Sequence, residues 1–362
     1  MKVIIAGGGT GGHLFPAVAL GEELRRQCPR ADVLHVGTTN GLEARWLPSS
    51  GLKYDLFQVR GWTGKDPLTR LRALSEFISA IGRSRRLLRD FRPDVVVSAG
   101  GYASAPMAVA AILSRTPLVM MEQNTRPGLV NRLLSRFARK ICVGFGETSA
   151  FFTRGKVEVT GNPVRFVFLP QVMDKVRVPL QILVLGGSSG AHRLNLGVLN
   201  AFKIWDKTVI NLKLVHQTGE ADVGLMSEGY QQLGRDARVV AFIDDMAAAL
   251  DQADLVIARS GAMTVSEVAL AGRPAIFVPY PFHRDHQQEL NARVLERLGG
   301  AIIVRDDDRL PENLASTLRE LVAGPARLIE MGRRARQAAH DDAAARIARV
   351  CFEVAGVERK AA

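Results

Sequence analysis

A short pattern that occurs twice constrains the fold of this chain more than any other feature. Four apolar residues lead into a glycine-rich loop that ends in a histidine, first in Val3–His13 and again, half the chain later, in Ile182–His192. A buried strand, a glycine turn and a helix form the unit from which parallel α/β sheets are built. The repeat therefore predicts two domains that each begin with this unit.

The length and the connections fit an α/β protein with two Rossmann-like domains facing a cleft. At 362 residues the chain exceeds one ordinary core. The alternation of strands and helices stops around Gly161–Arg165, and prolines and charged residues follow as far as Pro179, as in an interdomain connection. We expect a first domain over residues 1–163, a second over 164–340, and a last helix in 341–362 that packs back on the first domain.

The first glycine loop resembles a dinucleotide-binding loop only in part. Gly7, Gly9 and Gly12 satisfy the G-x-G-x-x-G pattern, which alone is a weak signal. A dinucleotide site also needs an acid at the carboxyl end of the second strand. Asp32 has roughly the right spacing, but it precedes its strand, and Gly37 stands at the other end. The pattern counts against nicotinamide or flavin, and we expect no cofactor.

Polar residues follow three predicted strands of the first half. They are His13, Tyr102, and the pair Glu122 and Asn124. Because the carboxyl ends of parallel strands share one edge of a sheet, these side chains should converge on one crevice. Each of them taken alone is as readily a cap or turn residue. Their shared location makes this edge a candidate binding site.

The segment Arg259–Glu267 predicts a second site. It follows the apolar run Leu255–Ala258 and opens a helix that we place over Ala262–Ala271, stopped by Gly272. Free N–H groups and the dipole at a helix N-terminus attract phosphate. Glu267, one to two turns inside, suits the two hydroxyls of a ribose. The segment therefore predicts a nucleoside diphosphate site, the alternative being an ordinary turn with a surface glutamate.

The amino-acid composition limits the classes of partner that this protein is expected to bind. The net charge of +12 suggests an anionic partner, which is nucleic acid, an acidic membrane face or a phosphorylated substrate. The three cysteines form neither a disulfide framework nor a metal cluster, which favours a reducing compartment. No signal peptide or membrane-spanning run is evident. Because the bases are not interleaved with aromatic residues, we do not expect nucleic acid to be the partner.

Half of that net charge lies between Arg60 and Arg92. The segment carries nine Lys or Arg and three Asp or Glu, beside Trp62 and a stripe of apolar residues at helical spacing. A basic amphipathic helix of this kind can lie on an anionic lipid surface. The alternative is a domain helix with a core-facing stripe and a solvated basic face. We expect peripheral attachment to the cytoplasmic face of the membrane.

Taken in order, the motifs of the chain resemble one enzyme family. They are Gly-Gly-Thr-Gly-Gly-His, Ser-Ala-Gly-Gly-Tyr, Glu-Gln-Asn, Gly-Asn-Pro-Val-Arg, Gly-Gly-Ser, Phe-Ile-Asp-Asp-Met, Arg-Ser-Gly-Ala-x-Thr-Val-Ser-Glu and His-x-x-Gln-Gln. The chain is similar over Val3 to about Asn291 to the N-acetylglucosaminyltransferases that complete lipid II in peptidoglycan synthesis. The resemblance implies the glycosyltransferase B fold, inversion at the sugar, no catalytic metal, UDP-N-acetylglucosamine as donor and a polyprenyl-diphosphate-linked muramoyl-pentapeptide as acceptor.

The resemblance also implies which residues bind the sugar nucleotide. The main chain of Ile243 would read uracil, Glu267 would hold the ribose, and Gln287 and Gln288 would lie beside the donor sugar. The whole implied binding set is Thr10, Gly11, Gly12, Asn124, Arg165, Ser188, Ile243, Ala262, Met263, Thr264, Val265, Ser266, Glu267, Gln287 and Gln288. The chain departs from the family at Ser189, where a glutamine is usual, so Ser188 is the better candidate ligand in that loop.

The implied chemistry needs a base and a means of stabilising the leaving diphosphate. A neutral histidine can accept a proton near pH 7, so His13 is the candidate base, with a ligand or turn contact as the alternative. Helix N-termini at Gly190 and Ala262, with Arg259 or Arg165 nearby, would stabilise the leaving group. No acidic pair follows a strand near the donor site, and Asp306–Asp308 is expected in a solvated loop, so we predict no metal.

Three other functions remain open at this stage. A related glycosyltransferase could use a different acceptor, such as diacylglycerol. A UDP-sugar epimerase could share the two-domain scaffold and would convert the donor with no acceptor present. A non-catalytic protein that binds nucleotides or nucleic acid would account for the charge.

Overall fold

The computed structural model describes residues 1–59, 67–165, 173–187, 190–205, 211–283 and 285–357, with the side chains of 67–71 left out. The chain divides into two compact units. Unit 1 contains Met1–Arg165 and Asp342–Ala362, and unit 2 contains Phe166–Asp341. The first unit is thus built from both ends of the chain, and the predicted C-terminal helix belongs to it.

Unit 1 contains a parallel sheet whose seven strands all lie in the described ranges. In chain order the strands are β1 (Lys2–Ala6), β2 (Asp32–Thr38), β3 (Tyr54–Phe57), β4 (Val95–Ser98), β5 (Leu118–Glu122), β6 (Lys140–Val143) and β7 (Val157–Val159). The spatial order is β3-β2-β1-β4-β5-β6-β7. The order reverses beside β1, and ligands of open parallel sheets bind beyond the carboxyl ends of strands at such a reversal.

Helices cover both faces of this sheet. They are α1 (Gly11–Gln27), α2 (Leu42–Trp46), α3 (Pro67–Phe91), α4 (Gly101–Leu113), α5 (Leu129–Leu134) and, from the C-terminus, α13 (Ala343–Ala355). Alternate residues of β1 enter different cores. Ile4 packs in one hydrophobic cluster with α3 and α4, whereas Val3 packs in another with Leu20 of α1 and with Ile347 and Phe352 of α13. The last helix therefore completes one face of the first sheet.

Unit 2 repeats the plan with six strands within the described residues. They are β8 (Leu180–Leu185), β9 (Leu212–Gln217), β10 (Ala237–Val240), β11 (Leu255–Ala258), β12 (Ala275–Phe277) and β13 (Ala301–Ile303). The order β10-β9-β8-β11-β12-β13 reverses beside β8, the second copy of the repeat. The helices are α6 (His192–Ile204), α7 (Val223–Gln232), α8 (Met246–Gln252), α9 (Ala262–Ala271), α10 (Gln287–Leu298), α11 (Leu310–Val322) and α12 (Pro325–Arg336).

The glycine loops force some helices to begin earlier than the apolar spacing predicts. We expected the first helix from Phe15 with Pro16 in its first turn, but it begins at Gly11, so Pro16 lies inside the helix. Likewise α4 begins at Gly101 instead of Ser104. In both cases the glycines that follow the strand become the first helical residues, which a pattern of apolar side chains cannot reveal.

The basic segment between Arg60 and Arg92 lies only partly within the described residues. From residue 67 onwards it forms α3, and its apolar stripe divides into two groups. Phe77 and Ile81 pack against the core of unit 1, whereas Leu74 and Ile78 are exposed. None of the helices in the described ranges has the length and apolar composition needed to cross a bilayer.

Candidate active site

His13 is the third residue of α1, directly after the first glycine loop, and its ring is hydrogen-bonded on one side. Its Nδ1 is 3.1 Å from the carbonyl oxygen of Ala99 and 3.2 Å from Oε1 of Gln123. A carbonyl oxygen only accepts hydrogen bonds, so Nδ1 must carry the proton. The second nitrogen, Nε2, is therefore left with its lone pair and can accept a proton.

The buried side chain of Gln123 reinforces this tautomer. Its Nε2 donates to the Ala99 carbonyl at 3.0 Å. Because that carbonyl cannot donate, the amide has to point its nitrogen there and its oxygen at His13. The main-chain oxygen of Gln123 accepts in turn from Asn162. Sequence reasoning noted the Glu-Gln-Asn motif but assigned no role to its glutamine, whose partner lies far away along the chain.

A buried glutamate accepts hydrogen bonds from the same glycine loop and from the strand beside it. The carboxylate of Glu43 accepts hydrogen bonds from the N–H of Gly9 at 2.7 Å and from the N–H and hydroxyl of Thr38 at 2.8 and 2.6 Å. A Cβ on Gly8 would lie 2.3 Å from this carboxyl group. An internal carboxylate thus occupies an N–H group that a dinucleotide phosphate would use in a related loop.

Glu122 organises the loop beyond β5. Its carboxylate accepts from the main-chain N–H groups of Asn124 and Gly128 and from the side chains of Asn124 and Asn131. The Asn124 carbonyl also accepts from Thr148. Glu122 is buried and saturated with donors, so its role is to fix the loop that carries Gln123 and Asn124. Asn124 itself remains partly exposed.

Arg165, the last residue of unit 1, lies on an aromatic pair. Its guanidinium carbon is 4.8 Å from the ring centre of Trp46 and 6.0 Å from that of Phe15. Stacking of this kind favours a planar cation and limits the directions in which it can point. The residue is exposed.

In unit 2, the turn after β11 forms as the sequence predicts. Gly261 precedes the first residue of α9, and Gly272 ends that helix in the left-handed conformation at φ 60°. Buried Asn291 of α10 donates to the Ser260 carbonyl and so ties α10 to this turn. The first N–H groups of α9 are left without intrahelical partners, as at every helix start.

Glu267 lies six residues into α9 and is partly exposed. It has no hydrogen-bond or ion-pair partner among the described residues. Burial by the surrounding protein raises the pKa of its carboxyl group to about 8. An unpartnered acid at the second turn is what a ribose diol would require.

The structure corrects our expectation for Arg259. Its guanidinium donates to the carbonyls of Val278 and Pro279 and to Asp306, whose nearest oxygen is 2.7 Å away. Asp306 also accepts from Arg193 at 3.0 Å. Asp306 is therefore buried between two arginines and does not lie in a solvated loop. Arg259 is buried, and its guanidinium links the residues that follow β12 to Asp306.

A pocket of about 350 Å³ lies beside Ile243. Its walls include Leu183 and Val240 from the sheet, Phe242 and Ile243 from the loop after β10, and Ala249 from α8. Ile243 lines this pocket and is partly exposed.

The two glutamines at the start of α10 differ in their contacts. The Oε1 of Gln288 accepts from the N–H of Tyr280 at 2.9 Å. Gln287 is the first residue of the helix and is partly exposed. The polar run from Phe282 predicts an earlier start for this helix, but the helix begins at Gln287, directly after His286.

The predicted site residues fall on both units. Unit 1 carries Thr10, Gly11, Gly12, His13, Asn124 and Arg165, and unit 2 carries Ile243, Ala262, Met263, Thr264, Val265, Ser266, Glu267, Gln287 and Gln288. Ser188 and Ser189 lie outside the described residues. In the described part of the chain, no group of three or more His, Cys, Asp or Glu side chains is arranged to hold a metal ion.

Two Rossmann-like units, the first with a partly exposed histidine after its glycine loop and the second with an acid just inside a helix N-terminus, match the arrangement of the glycosyltransferase B fold. The chain belongs to glycosyltransferase family 28. Residues 3–143 match the N-terminal domain of that family, and residues 181–347 match its C-terminal domain. The predicted fold class and enzyme class are thereby confirmed.

Relatives within the family are similar over nearly their whole length. A UDP-N-acetylglucosamine--N-acetylmuramyl-(pentapeptide) pyrophosphoryl-undecaprenol N-acetylglucosamine transferase of Syntrophotalea carbinolica is 44% identical over 98% of this chain and 99% of its own. The enzyme of the same name from Geobacter sulfurreducens is 41% identical over 95% and 96%. These relatives confirm the family that the motifs predict.

Solved structures agree. The crystal structure of MurG from Acinetobacter baumannii superimposes with a TM-score of 0.77 at 32% identity and covers 97% of this chain and 99% of that one. A UDP-GlcNAc 2-epimerase from Neisseria meningitidis has a TM-score of 0.67 at 15% identity, with coverage of 98% and 100%. The epimerase likeness concerns the fold alone.

Proposed function

We propose that this enzyme transfers N-acetylglucosamine from UDP-N-acetylglucosamine to the 4-hydroxyl of a muramoyl-pentapeptide carried on polyprenyl pyrophosphate. The product is the disaccharide-pentapeptide lipid used for peptidoglycan. The names of the relatives at 40% identity and above support both substrates. The observation that carries the proposal is the geometry of His13, whose Nδ1 faces two acceptors and whose Nε2 is left to accept a proton.

The reaction is a single displacement with inversion. The acceptor hydroxyl attacks the anomeric carbon as the bond from that carbon to the UDP oxygen breaks. The proton of the hydroxyl passes to Nε2 of His13, and the electron pair of the broken bond leaves with UDP. A neutral imidazole suits this step near pH 7.

The leaving diphosphate gains charge, and groups of unit 2 are suited to stabilise it. The N-terminus of α9 supplies oriented N–H groups and the positive end of a helix dipole. Glu267 would accept hydrogen bonds from the ribose, the main chain of Ile243 would read uracil, and Gln287 and Gln288 would bind the sugar. Arg165 is the additional cation that we assign to the anionic donor.

One assay tests the proposed reaction. The protein is incubated with UDP-N-acetylglucosamine and a short-chain, water-soluble analogue of the lipid acceptor, and the products are identified by mass. We expect the acceptor to gain one N-acetylhexosamine, and His13→Gln to lose most of that activity. Conversion of the donor to an epimer without acceptor, or transfer at the parent rate by His13→Gln, would contradict the proposal.

We also propose that the enzyme attaches peripherally to the cytoplasmic face of the membrane through α3. Leu74 and Ile78 are exposed on α3. Arg85 and Arg89 lie about two and three turns beyond Ile78, so they fall on the same face of the helix. Apolar side chains flanked by exposed arginines favour an anionic lipid surface. An acceptor anchored by a polyprenyl chain would make such attachment useful.

A second exposed apolar row supports the same surface. Leu129, Leu133 and Phe137 recur at intervals of one turn through α5 and the turn after it, and all three are exposed. Arg132 and Arg136 belong to the same short segment. Helix α4 packs against both α3 and α5, so each row belongs to a helix of unit 1 that contacts α4.

A further inference from the structure

The second copy of the repeat also ends in a histidine, and its partner differs from that of His13. His192 is the first residue of α6, directly after the second glycine loop. Its Nδ1 is 2.9 and 3.1 Å from the two carboxylate oxygens of Asp222. His13 meets a carbonyl and an amide at the same ring atom. The same position therefore has a neutral partner in unit 1 and an anionic partner in unit 2.

A buried chain of hydrogen bonds fixes the carboxylate of Asp222. The amide nitrogen of Asn195 donates to the Thr218 carbonyl at 3.0 Å and to Asp222 at 2.7 Å. Because the Thr218 carbonyl only accepts, the amide oxygen of Asn195 has to face His216. Asp222 thus receives a hydrogen bond from a side chain whose orientation is determined.

The chain of hydrogen bonds continues to a tyrosine in α7. Nε2 of His216 lies 3.1 Å from the Asn195 oxygen and must donate to it, so its Nδ1 accepts from the hydroxyl of Tyr230 at 2.8 Å. Burial lowers the pKa of His216 to about 3, so this ring stays neutral. Every donor in this chain of hydrogen bonds points towards Asp222. The structure therefore holds Asp222 as an acceptor for the Nδ1–H of His192.

The remaining nitrogen of His192 is open to a ligand. The side chain is 61% exposed, and Nε2 is on the opposite side of the ring from Asp222. The residue follows β8, the strand beside which the order of the second sheet reverses. Ligands of such sheets bind at this point, beyond the carboxyl ends of the strands. His192 is thus at the edge of the crevice where the donor is expected.

We propose that His192, as an imidazolium matched by Asp222, binds the diphosphate of the sugar nucleotide and stabilises it as it leaves. The inference rests on the proposed function and adds a residue to it. An imidazolium donates through both nitrogens, so Nδ1 serves Asp222 while Nε2 serves a phosphate oxygen. The two histidines of the repeat then have complementary roles: His13 accepts the proton, and His192 supplies positive charge.

Other charged groups lie near His192 in the chain. Arg193 follows it in α6 and shares Asp306 with Arg259, so this one carboxylate does not balance both guanidinium groups. Glu220 begins the turn that ends at Asp222 and is exposed. His216 is neutral for the reason given above. The Asp222 carboxylate is therefore the charge that contacts the imidazole directly.

Binding measurements with three ligands test the inference. Dissociation constants are measured for UDP-N-acetylglucosamine, UDP and uridine at one pH near neutrality. We expect His192→Gln to weaken both diphosphates about tenfold or more and to leave uridine unchanged, since hydrogen bonds between charged groups are among the strongest. His192→Arg should restore tight binding.

Lys203→Gln is the matched control, because it removes one charge from the exposed far end of the same helix. It should bind all three ligands as the parent does. The inference is overturned if folded His192→Gln binds UDP like the parent, if uridine weakens equally, or if only the sugar-bearing ligand weakens. A parent that binds UDP more tightly than His192→Gln does but transfers no sugar would instead refute the proposed function.

Discussion

A buried amide sets the protonation of the histidine in the first glycine loop, and its removal should affect catalysis more than binding. Gln123→Leu keeps the volume but removes one of the two acceptors at Nδ1 of His13. We expect kcat to fall about tenfold to a hundredfold, as a fraction of what a positioned base contributes. The ring of His13 then spends part of its time in the wrong tautomer, which slows proton transfer. The KM for the sugar nucleotide should stay unchanged, because no residue that binds it is altered.

The ¹⁵N chemical shifts of His13 distinguish this from simple loss of stability. In the parent they should report Nδ1–H, and in Gln123→Leu a mixture of tautomers. Gln123→Glu places a carboxylate at Nδ1 and should move the acidic limb of the pH–rate profile upwards. A parental tautomer and pH profile in both variants would remove Gln123 from the mechanism and leave it a packing role.

Glu267 should release a proton when the donor binds. Burial raises its pKa to about 8, so at pH 7 about nine-tenths of the free enzyme carries the neutral acid. Hydroxyls of a ribose that donate to the group favour the carboxylate and lower that pKa. Calorimetry of UDP-N-acetylglucosamine binding in buffers of different ionisation enthalpy should therefore show release approaching one proton at pH 7 and almost none above pH 9.

Two variants test whether the released proton comes from Glu267. Glu267→Gln should abolish the release, and Glu267→Ala should raise the donor KM roughly tenfold to a hundredfold, since hydrogen bonds to a charged group contribute about 1.5–3 kcal/mol. The acceptor KM should be unaffected in either. If Glu267→Gln releases as many protons as the parent, the acid does not contact the ribose.

His35 should make the protein sensitive to acid. Its ring is buried between β2 and Gly21 of α1, and neither nitrogen has a partner among the described residues. Burial lowers its pKa from 6.5 to about 4. The unfolded chain therefore binds more protons between pH 6.5 and 4, so stability falls as the pH drops through this window, by about 2 kcal/mol at pH 5.

His35→Leu should remove that dependence and also the cost of an unpartnered polar group, about 1–3 kcal/mol. We expect a higher unfolding midpoint at pH 7.5 and a larger gain at pH 5, both measured by denaturant titration. His283→Gln, at an exposed histidine, is the control and should follow the parent. Equal gains at the two pH values would mean that the His35 ring is already protonated or solvated in the folded state.

At the scale of secondary-structure elements, local sequence patterns predict the type of each element but not the residue at which a helix begins. Apolar runs before a glycine turn correctly predict the strands at Val3 and Ile182, and Gly272 marks the end of α9. The helix starts at Gly11 and Gly101 were missed because glycines carry no apolar signal. The strand ends of unit 1 were correctly expected to converge, since parallel strands place their carboxyl ends together.

Partners that are distant in sequence account for what could not be predicted. Arg259 looks free beside a phosphate-binding turn, yet Asp306 neutralises it from the end of another strand. Gln123 and Glu43 act on the first glycine loop from elsewhere in the fold. Such pairings depend on the order of strands in the sheet, which residue spacing leaves open. The resemblance supplied candidate residues, and geometry alone supplied their contacts.

Helix ends should take the place of a cation at the diphosphate. The N-terminus of α9 and the exposed cation of Arg165 are suited to the charge of the leaving group. We therefore expect the initial rate of transfer to persist in excess EDTA and to be unchanged by added Mg²⁺. A rate that falls in EDTA and recovers with Mg²⁺ would refute the metal-free mechanism.

At the scale of the whole molecule, membrane attachment should reside in unit 1 and depend on charge. Arg85, Arg86 and Arg89 are exposed on α3, whereas Arg83 is paired with Asp55 and is left unchanged in the test. Each base near an anionic surface contributes about 1 kcal/mol, which falls off within a Debye length. Attachment should accordingly require anionic lipid and weaken as salt rises.

Reversing these three arginines to glutamate should release the protein from anionic vesicles in a sedimentation assay, with at least about a hundredfold loss of partitioning. The matched control reverses Lys175, Lys203 and Arg333, which are exposed in unit 2 and form no ion pair among the described residues, and it changes the net charge equally. Release by the first set alone shows that position matters and not total charge. Both variants should act on a water-soluble acceptor like the parent. If the α3 variant sediments with anionic vesicles as the parent does, this helix is a solvated surface and the attachment lies elsewhere.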